Sequence, residues 1–137
     1  MSRTTTRYAL QRTVKKTFAE ADRAVREALE EQGFGVLTEI DVKATLKKKL
    51  DEDFRDYEIL GACNPPLAHA ALQAELEVGL LLPCNVVVRA GDEPGTTVVE
   101  AMDPVIQLEV ADNATLPALA QDVRARLERV LDRVAQS

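Results

Sequence analysis

The stretch Ile59-Leu60-Gly61-Ala62-Cys63-Asn64-Pro65-Pro66 decides how the chain is read, and Leu82-Pro83-Cys84-Asn85-Val86-Val87-Val88 echoes it further along. Each holds one of the chain's two cysteines, followed at once by an asparagine. Each sits where an apolar run meets a proline. The first reads as a strand, Tyr57 to Ala62, running into a helix. Asn64 is the expected cap of that helix, and Pro65 takes its first position, where the missing N–H costs nothing. In the second, Pro83 breaks the apolar segment Gly79 to Ala90. A proline cannot donate to a sheet ladder, so Pro83 marks a strand start, an edge or a bulge.

Working back toward the N-terminus, Tyr8 to Val14 alternates as a half-buried strand, with Arg12 the exception on the apolar face. Thr17 and Glu20 form a capping box for a helix whose buried face is Phe18, Ala21, Val25, Ala28 and Leu29. Gly33 ends it where a left-handed residue is wanted. Phe34 to Ile40 is a second strand, with Phe34, Val36 and Thr38 expected to share a face with Ile40. Glu39 and Asp41 fall on the other face. Two carboxylates there could act as acid and base, but a solvated Glu39 and an Asp41 that caps the next helix explain them more simply. That helix is Val42 to Leu50, with Val42, Leu46 and Leu50 on its apolar side. The helix after Cys63 carries Ala68, Ala71, Leu72 and Leu76 inward, and turns the chain's one histidine, His69, to solvent.

Toward the C-terminus, Gly91-Asp92-Glu93-Pro94-Gly95 has the chemistry of a hairpin loop. Thr96 to Met102 returns as the fifth strand. Asp103-Pro104 opens one or two helical turns, and from Thr115 a last helix carries Leu119, Val123, Leu127, Val130, Leu131 and Val134 on one stripe. The order is β-α-β-α-β-α-β-β-α. It predicts an α+β fold in one domain, residues 1–137, with a five-stranded mixed sheet and helices mostly on one face.

The totals exclude several classes. Apolar residues make up 46% and charged residues 29% of the 137, an ordinary globular balance. The formal charge of −6 argues against a nucleic-acid partner, because phosphate contacts need clustered Lys and Arg. The one basic cluster, Lys43, Lys47, Lys48 and Lys49, complements a helix C-terminus. Asp51-Glu52-Asp53 lacks the spacing, glycine and closing glutamate of a calcium loop. No apolar run reaches the roughly 18 residues of a membrane span. Met1-Ser2-Arg3-Thr4-Thr5-Thr6 has no hydrophobic signal region. These point to a cytoplasmic protein without a membrane partner, whose two cysteines are thiols.

Four residues are the candidate site: Cys63, Asn64, Cys84 and Asn85. A helix N-terminus stabilises a thiolate, so Cys63 has a physical route to reactivity. The opposing reading is that free cysteines pack as small hydrophobes, and that Asn-Pro and Pro-Cys-Asn are turn chemistry. Whether the two sites meet depends on topology. If Glu77 to Pro83 merely turns into a parallel strand, Cys84 lies at the far sheet end from Cys63. If it runs back extended, the two are neighbours, and the apolar run Gly79 to Leu82 favours that. There is no Cys-x-x-Cys pair, no phosphate-binding glycine loop and no nucleophile elbow. No metal ligand set is assigned; two thiolates alone suit Cu(I) better than zinc.

At these residues the chain resembles the family called domain of unknown function 302. The resemblance runs through Lys49-Leu50, Tyr57, Ile59-Leu60-Gly61-Ala62-Cys63-Asn64-Pro65 with Ala68, Leu82-Pro83-Cys84-Asn85-Val86-Val87-Val88 and Asp103-Pro104. It covers nearly the whole chain; the doubled Pro65-Pro66 is a departure. It implies a small α+β domain, often a homodimer, with no established activity; its cofactors are unknown. Three expectations stand together. The first is a module that binds a small molecule or soft metal through the two Cys-Asn sites. The second is a thiol-based redox protein or enzyme using Cys63. The third is a structural or interaction domain acting as a homodimer.

Overall fold

The computed structural model describes residues 6–137. Met1 to Thr5, read above as lacking a signal region, lie outside the described residues. The strands are β1 (Ala9–Val14), β2 (Gly35–Asp41), β3 (Tyr57–Cys63), β4 (Cys84–Ala90) and β5 (Thr97–Met102). The α-helices are α1 (Phe18–Glu31), α2 (Val42–Leu50), α3 (Pro65–Ala74), α4 (Pro104–Glu109) and α5 (Leu116–Gln136). A 3-10 segment, Leu76–Leu81, separates α3 from β4.

Local chemistry sets the helix ends. Thr17 accepts from the Glu20 N–H while the Glu20 carboxylate accepts from the Thr17 N–H, closing the capping box on α1. Its other end is a Schellman turn: Phe34 N–H reaches the Leu29 carbonyl and Gly33 N–H the Glu30 carbonyl. Gly33 sits at φ +83°, a conformation that favours glycine. Asp41 caps α2 through the Ala44 N–H at 2.9 Å.

The sheet order is β1-β5-β4-β3-β2, and every neighbouring pair is antiparallel. The expected mixed sheet is therefore corrected to an antiparallel one. β1 and β2 flank α1 and do run the same way, but they sit at the two edges with three strands between them. Interleaving in sequence is thus no guide to pairing in space. The fold class, α+β, stands.

Period two gives the sheet one covered face. Leu10, Leu60, Val86, Val88, Val99 and Ala101 pack with Val25 and Leu29 of α1 and Leu127, Val130 and Leu131 of α5 in one buried cluster. Arg12, the exception in β1, lies on this face and pairs with Glu128 and Asp132 of α5 at 3.1 and 2.9 Å. A second cluster, Ala71, Val78, Leu108, Leu116 and Ala120, joins α3, the 3-10 segment, α4 and the start of α5.

Two local expectations change. A bulge between Val36 and Thr38 puts Thr38 and Ile40 on the opposite face from Val36, because one extra residue inverts the alternation beyond it. The segment after α3 is a 3-10 helix rather than extended chain; it buries Val78 and leaves Leu76 and Leu80 exposed.

Candidate functional site

The antiparallel pairing gathers the sequence signals at one end of the sheet. Gly35 pairs with Cys63, Ala62 with Cys84, Val86 with Ala101 and Ala9 with Met102. The end of β3, the start of β4 and the end of β5 therefore lie side by side. Two helices begin there, each opened by a capping side chain followed by proline. Asn64 is buried; its Oδ1 accepts from the Leu67 N–H at 3.3 Å, and its Nδ2 donates to the Gln32 carbonyl at 3.3 Å. Asp103 caps α4 through the Val105 N–H at 2.9 Å, and its other oxygen accepts from Arg124 Nε at 3.2 Å. Both caps also tie their helices to distant elements.

Cys63 is half-buried and Cys84 buried, and both are free thiols. They line one cavity of about 330 Å3 between the sheet end and helices α3, α4 and α5. Phe34, Leu67, Leu72, Leu108, Leu119 and Val123 supply much of its wall, and Leu37 and Thr38 reach it from the bulge in β2. Burial pushes the Cys84 thiol up to about 11, and the neighbouring Cys63 adds to the rise. Cys84 is thus held as a neutral thiol at neutral pH. The amides at this cavity have partners already. Asn64 is engaged as above, and Gln107 Nε2 donates to the Leu81 carbonyl.

Gly61 explains how the chain closes here. A Cβ at Gly61 would meet Thr38 Oγ1 and lie 2.9 Å from Pro83 Cγ. Only a glycine lets β2 and the Leu82–Pro83 step, whose peptide bond is cis, close over β3.

Asn85 does not join the other three. The alternation of β4 turns it to the opposite sheet face, where it lines a separate groove of about 660 Å3 with Tyr57, Val87 and Arg89. In that groove Arg89 Nε donates to Glu100 Oε2 at 2.8 Å, and Gln11 Nε2 donates to Glu100 Oε1 at 2.8 Å. The Arg89 and Glu100 side chains are only 11% and 18% exposed. The sequence reading passed over this trio. Its signal was a charge inside each of two apolar runs, Val86-Val87-Val88-Arg89 and Val98-Val99-Glu100-Ala101.

The structure thus brings Cys63, Asn64 and Cys84 together, and sets Asn85 apart. β3 and β4 run antiparallel, so the cysteines Cys63 and Cys84 are the neighbours, and Asn85 is not. His69 is exposed on α3. Among the described residues no group of three or more His, Cys, Asp or Glu could hold a metal ion. Among them, too, no helix is long and apolar enough to cross a membrane.

Comparison with known proteins agrees with this fold. The sequence model of the family described as domain of unknown function DUF302 matches residues 10–134. A solved structure, the uncharacterized conserved protein DUF302 from Bacillus stearothermophilus, is 32% identical and superposes with a TM-score of 0.86. The similarity covers 94% of this chain and 99% of that one. No curated protein matches.

Proposed function

The chain belongs to the DUF302 family, and on that premise we propose that it is a binding module for a small apolar molecule held at the sheet end. The carrying observation is the cavity that Cys63, Asn64 and Cys84 line together: its wall is apolar side chains and thiols, and its amides are already engaged. Its volume of about 330 Å3 falls at the small end of the roughly 300–1,000 Å3 usual for ligand sites. An apolar guest loses nothing there, whereas a polar guest would leave its hydrogen bonds unmade. Cys63 and Cys84 serve as soft, polarisable wall, and Asn64 positions α3.

The soft-metal and thiol-enzyme readings are weaker. A Cu(I) pair needs thiolates, and the Cys84 thiol is pushed up to about 11. A Cys–His pair lacks its base, since His69 is exposed on α3. Asn85 is withdrawn from this site, because it faces the other groove.

The test is titration with the neutral fluorophore N-phenyl-1-naphthylamine and displacement by 1-octanol, with alkylation of Cys63 followed in parallel. Expected are saturable, displaceable fluorescence and slowed alkylation when 1-octanol is bound. Ala68→Phe, which fills the cavity, should abolish both. Fluorescence unchanged by Ala68→Phe, with alkylation indifferent to 1-octanol, would sink the reading.

For partners, the reading includes a second copy of the chain acting with the first, each copy's 137 residues working as one unit. What supports it is α2, nine residues long without one buried side chain and with Leu50 64% exposed. A helix that short is marginal in water without tertiary packing. Light scattering of the parent and of Leu46→Glu with Leu50→Glu should give a dimer and a monomer; a monomeric parent at high concentration ends this part.

A further inference from the structure

We propose that the groove on the face away from α1 and α5 is a second binding site, for a planar nitrogen heterocycle presenting adjacent N–H donors beside a carbonyl, of the guanine or pterin kind. This goes beyond the apolar cavity and does not depend on it. The groove is the larger of the two spaces, about 660 Å3 against about 330 Å3, and its chemistry differs.

The floor is built from four strands. Gln11 lies opposite Glu100, Arg89 opposite Tyr57, and the Arg89–Glu100 pair joins the two rows. Removing this ion pair from water is costly and adds nothing to the apolar core. Both side chains are nevertheless more than four-fifths buried. Glu100 is positioned without being saturated. A carboxylate offers about four acceptor sites, and one hydrogen bond from Gln11 and one from Arg89 occupy two of them. The remaining sites accept a pair of adjacent N–H donors side by side. The Arg89 guanidinium beside them offers donors to a carbonyl on the same ring edge.

The walls suit a flat ring. Tyr57 neighbours Arg89 in the sheet, and Phe54 lies against Tyr57 with ring centroids 5.9 Å apart and planes tilted by 50°. A heterocycle laid on these rings gains stacking that is worth roughly 1–3 kcal/mol per base in other proteins. Charge is consistent with a neutral guest: Arg89 is balanced by Glu100, and Arg55 at the rim by Asp92 at 3.2 Å. A chain of net charge −6 gives no pull on a phosphate backbone, so the free heterocycle or nucleoside fits and a nucleic acid strand does not.

The experiment is calorimetric titration of the full chain with guanosine and with pterin, and with adenosine, which lacks the carbonyl beside an N–H. Guanosine or pterin should bind at least tenfold more tightly than adenosine. Glu100→Gln, which replaces an acceptor by a donor, should weaken binding at least tenfold. Tyr57→Leu should weaken it severalfold in a protein whose melting temperature shows it folded. Cys63→Ser should leave it unchanged. Equal binding of adenosine, no binding by either oxo-heterocycle at millimolar concentration, or full binding by Tyr57→Leu would overturn the proposal.

Discussion

Cys84 and Asn85 are consecutive in β4, yet Cys84 lines an apolar cavity of about 330 Å3 and Asn85 a polar groove of about 660 Å3. One peptide bond separates two chemical environments. Behind Cys84 stand helices whose side chains exclude water, and its thiol is pushed up to about 11. Around Asn85, α1 and α5 are absent, and polar side chains hold one another by hydrogen bonds. A motif read as one unit along the chain is divided by the period of the strand that carries it.

Two glutamates make the same contrast across the sheet. Glu100, on the groove side, has Arg89 and Gln11 as partners at 2.8 Å each. Glu58, on the helix-covered side, takes a long contact of 3.4 Å from Arg26 and faces the Asp22 carboxylate, and its Oε2 is buried without a geometric hydrogen-bond partner among the described residues. One carboxylate is matched to its surroundings; the other is left wanting a proton. The largest effect should come from unmatching Glu100. Glu100→Leu leaves Arg89 uncompensated and should cost about 3 kcal/mol, the low end of the range for breaking a buried pair. The double variant Arg89→Leu with Glu100→Leu should recover most of that loss in urea denaturation. A double variant as unstable as the single one would show that the pair contributes more than mutual compensation.

The two sides meet at Gly61, where the next largest effect is expected. Gly61→Ala sets a methyl against Thr38 Oγ1 and Pro83 Cγ, and overpacking of this kind costs about 2 kcal/mol. Thr38→Ala in the same chain should return part of it, since Thr38 Oγ1 is the nearer obstacle. Independence of the two substitutions would place the strain on Pro83 alone.

Glu58 sharpens the contrast through pH. Burial, the neighbouring Asp22 carboxylate and Glu39 raise its pKa from 4.5 to about 8, with Arg26 opposing. Between those values the folded chain holds a proton that the unfolded chain has released. The stabilisation is therefore complete below about pH 4.5 and declines as pH rises toward 8, by at most about 1.4 kcal/mol per pH unit. Glu58→Gln cannot ionise. It should flatten this slope and be more stable than the parent at pH 8.5, with little difference at pH 5. Parallel stability curves for the two proteins would show that Glu58 is ionised in the fold.

Much of this architecture is legible in the residues. Thr17, Asp41, Asn64 and Asp103 each cap the helix they precede, because a short polar side chain before an apolar periodic run has few other roles. Pairing was harder. Nothing in β1, α1 and β2 says that β1 and β2 end up at opposite edges, since that is decided by β3, β4 and β5 lying between them from later in the chain. The bulge at Leu37 was hidden for a different reason. Val36-Leu37-Thr38-Glu39-Ile40 alternates acceptably in either register, and the sheet partner makes the choice. Of the four candidate site residues, three share a cavity. Strand period separates the fourth: Cys84 and Asn85 are consecutive in β4 and face opposite ways, just as Glu39 and Asp41, two apart in β2, share a face.

The two asparagines give the finest measure of the comparison. Asn64 is buried, caps α3 and holds the Gln32 carbonyl at the end of α1, whereas Asn85 is exposed at the groove. Asn64→Ala removes the cap and, with it, the Nδ2 donor to the Gln32 carbonyl; the cap is worth about 1 kcal/mol, and the cost would rise toward about 2 if that carbonyl were left without a partner. Arg126 Nη1 also donates to that carbonyl, at 3.1 Å, so the carbonyl keeps one partner and the lower figure is expected. Asn85→Ala should shift stability by no more than about 0.5 kcal/mol, as for a surface change. Ligand readouts should follow the same order: Asn64→Ala loosens α3 and weakens apolar-probe binding, while Asn85→Ala leaves the probe untouched. Equal destabilisation by the two substitutions, or loss of the apolar probe from Asn85→Ala, would mean that β4 does not divide the molecule as its alternation says.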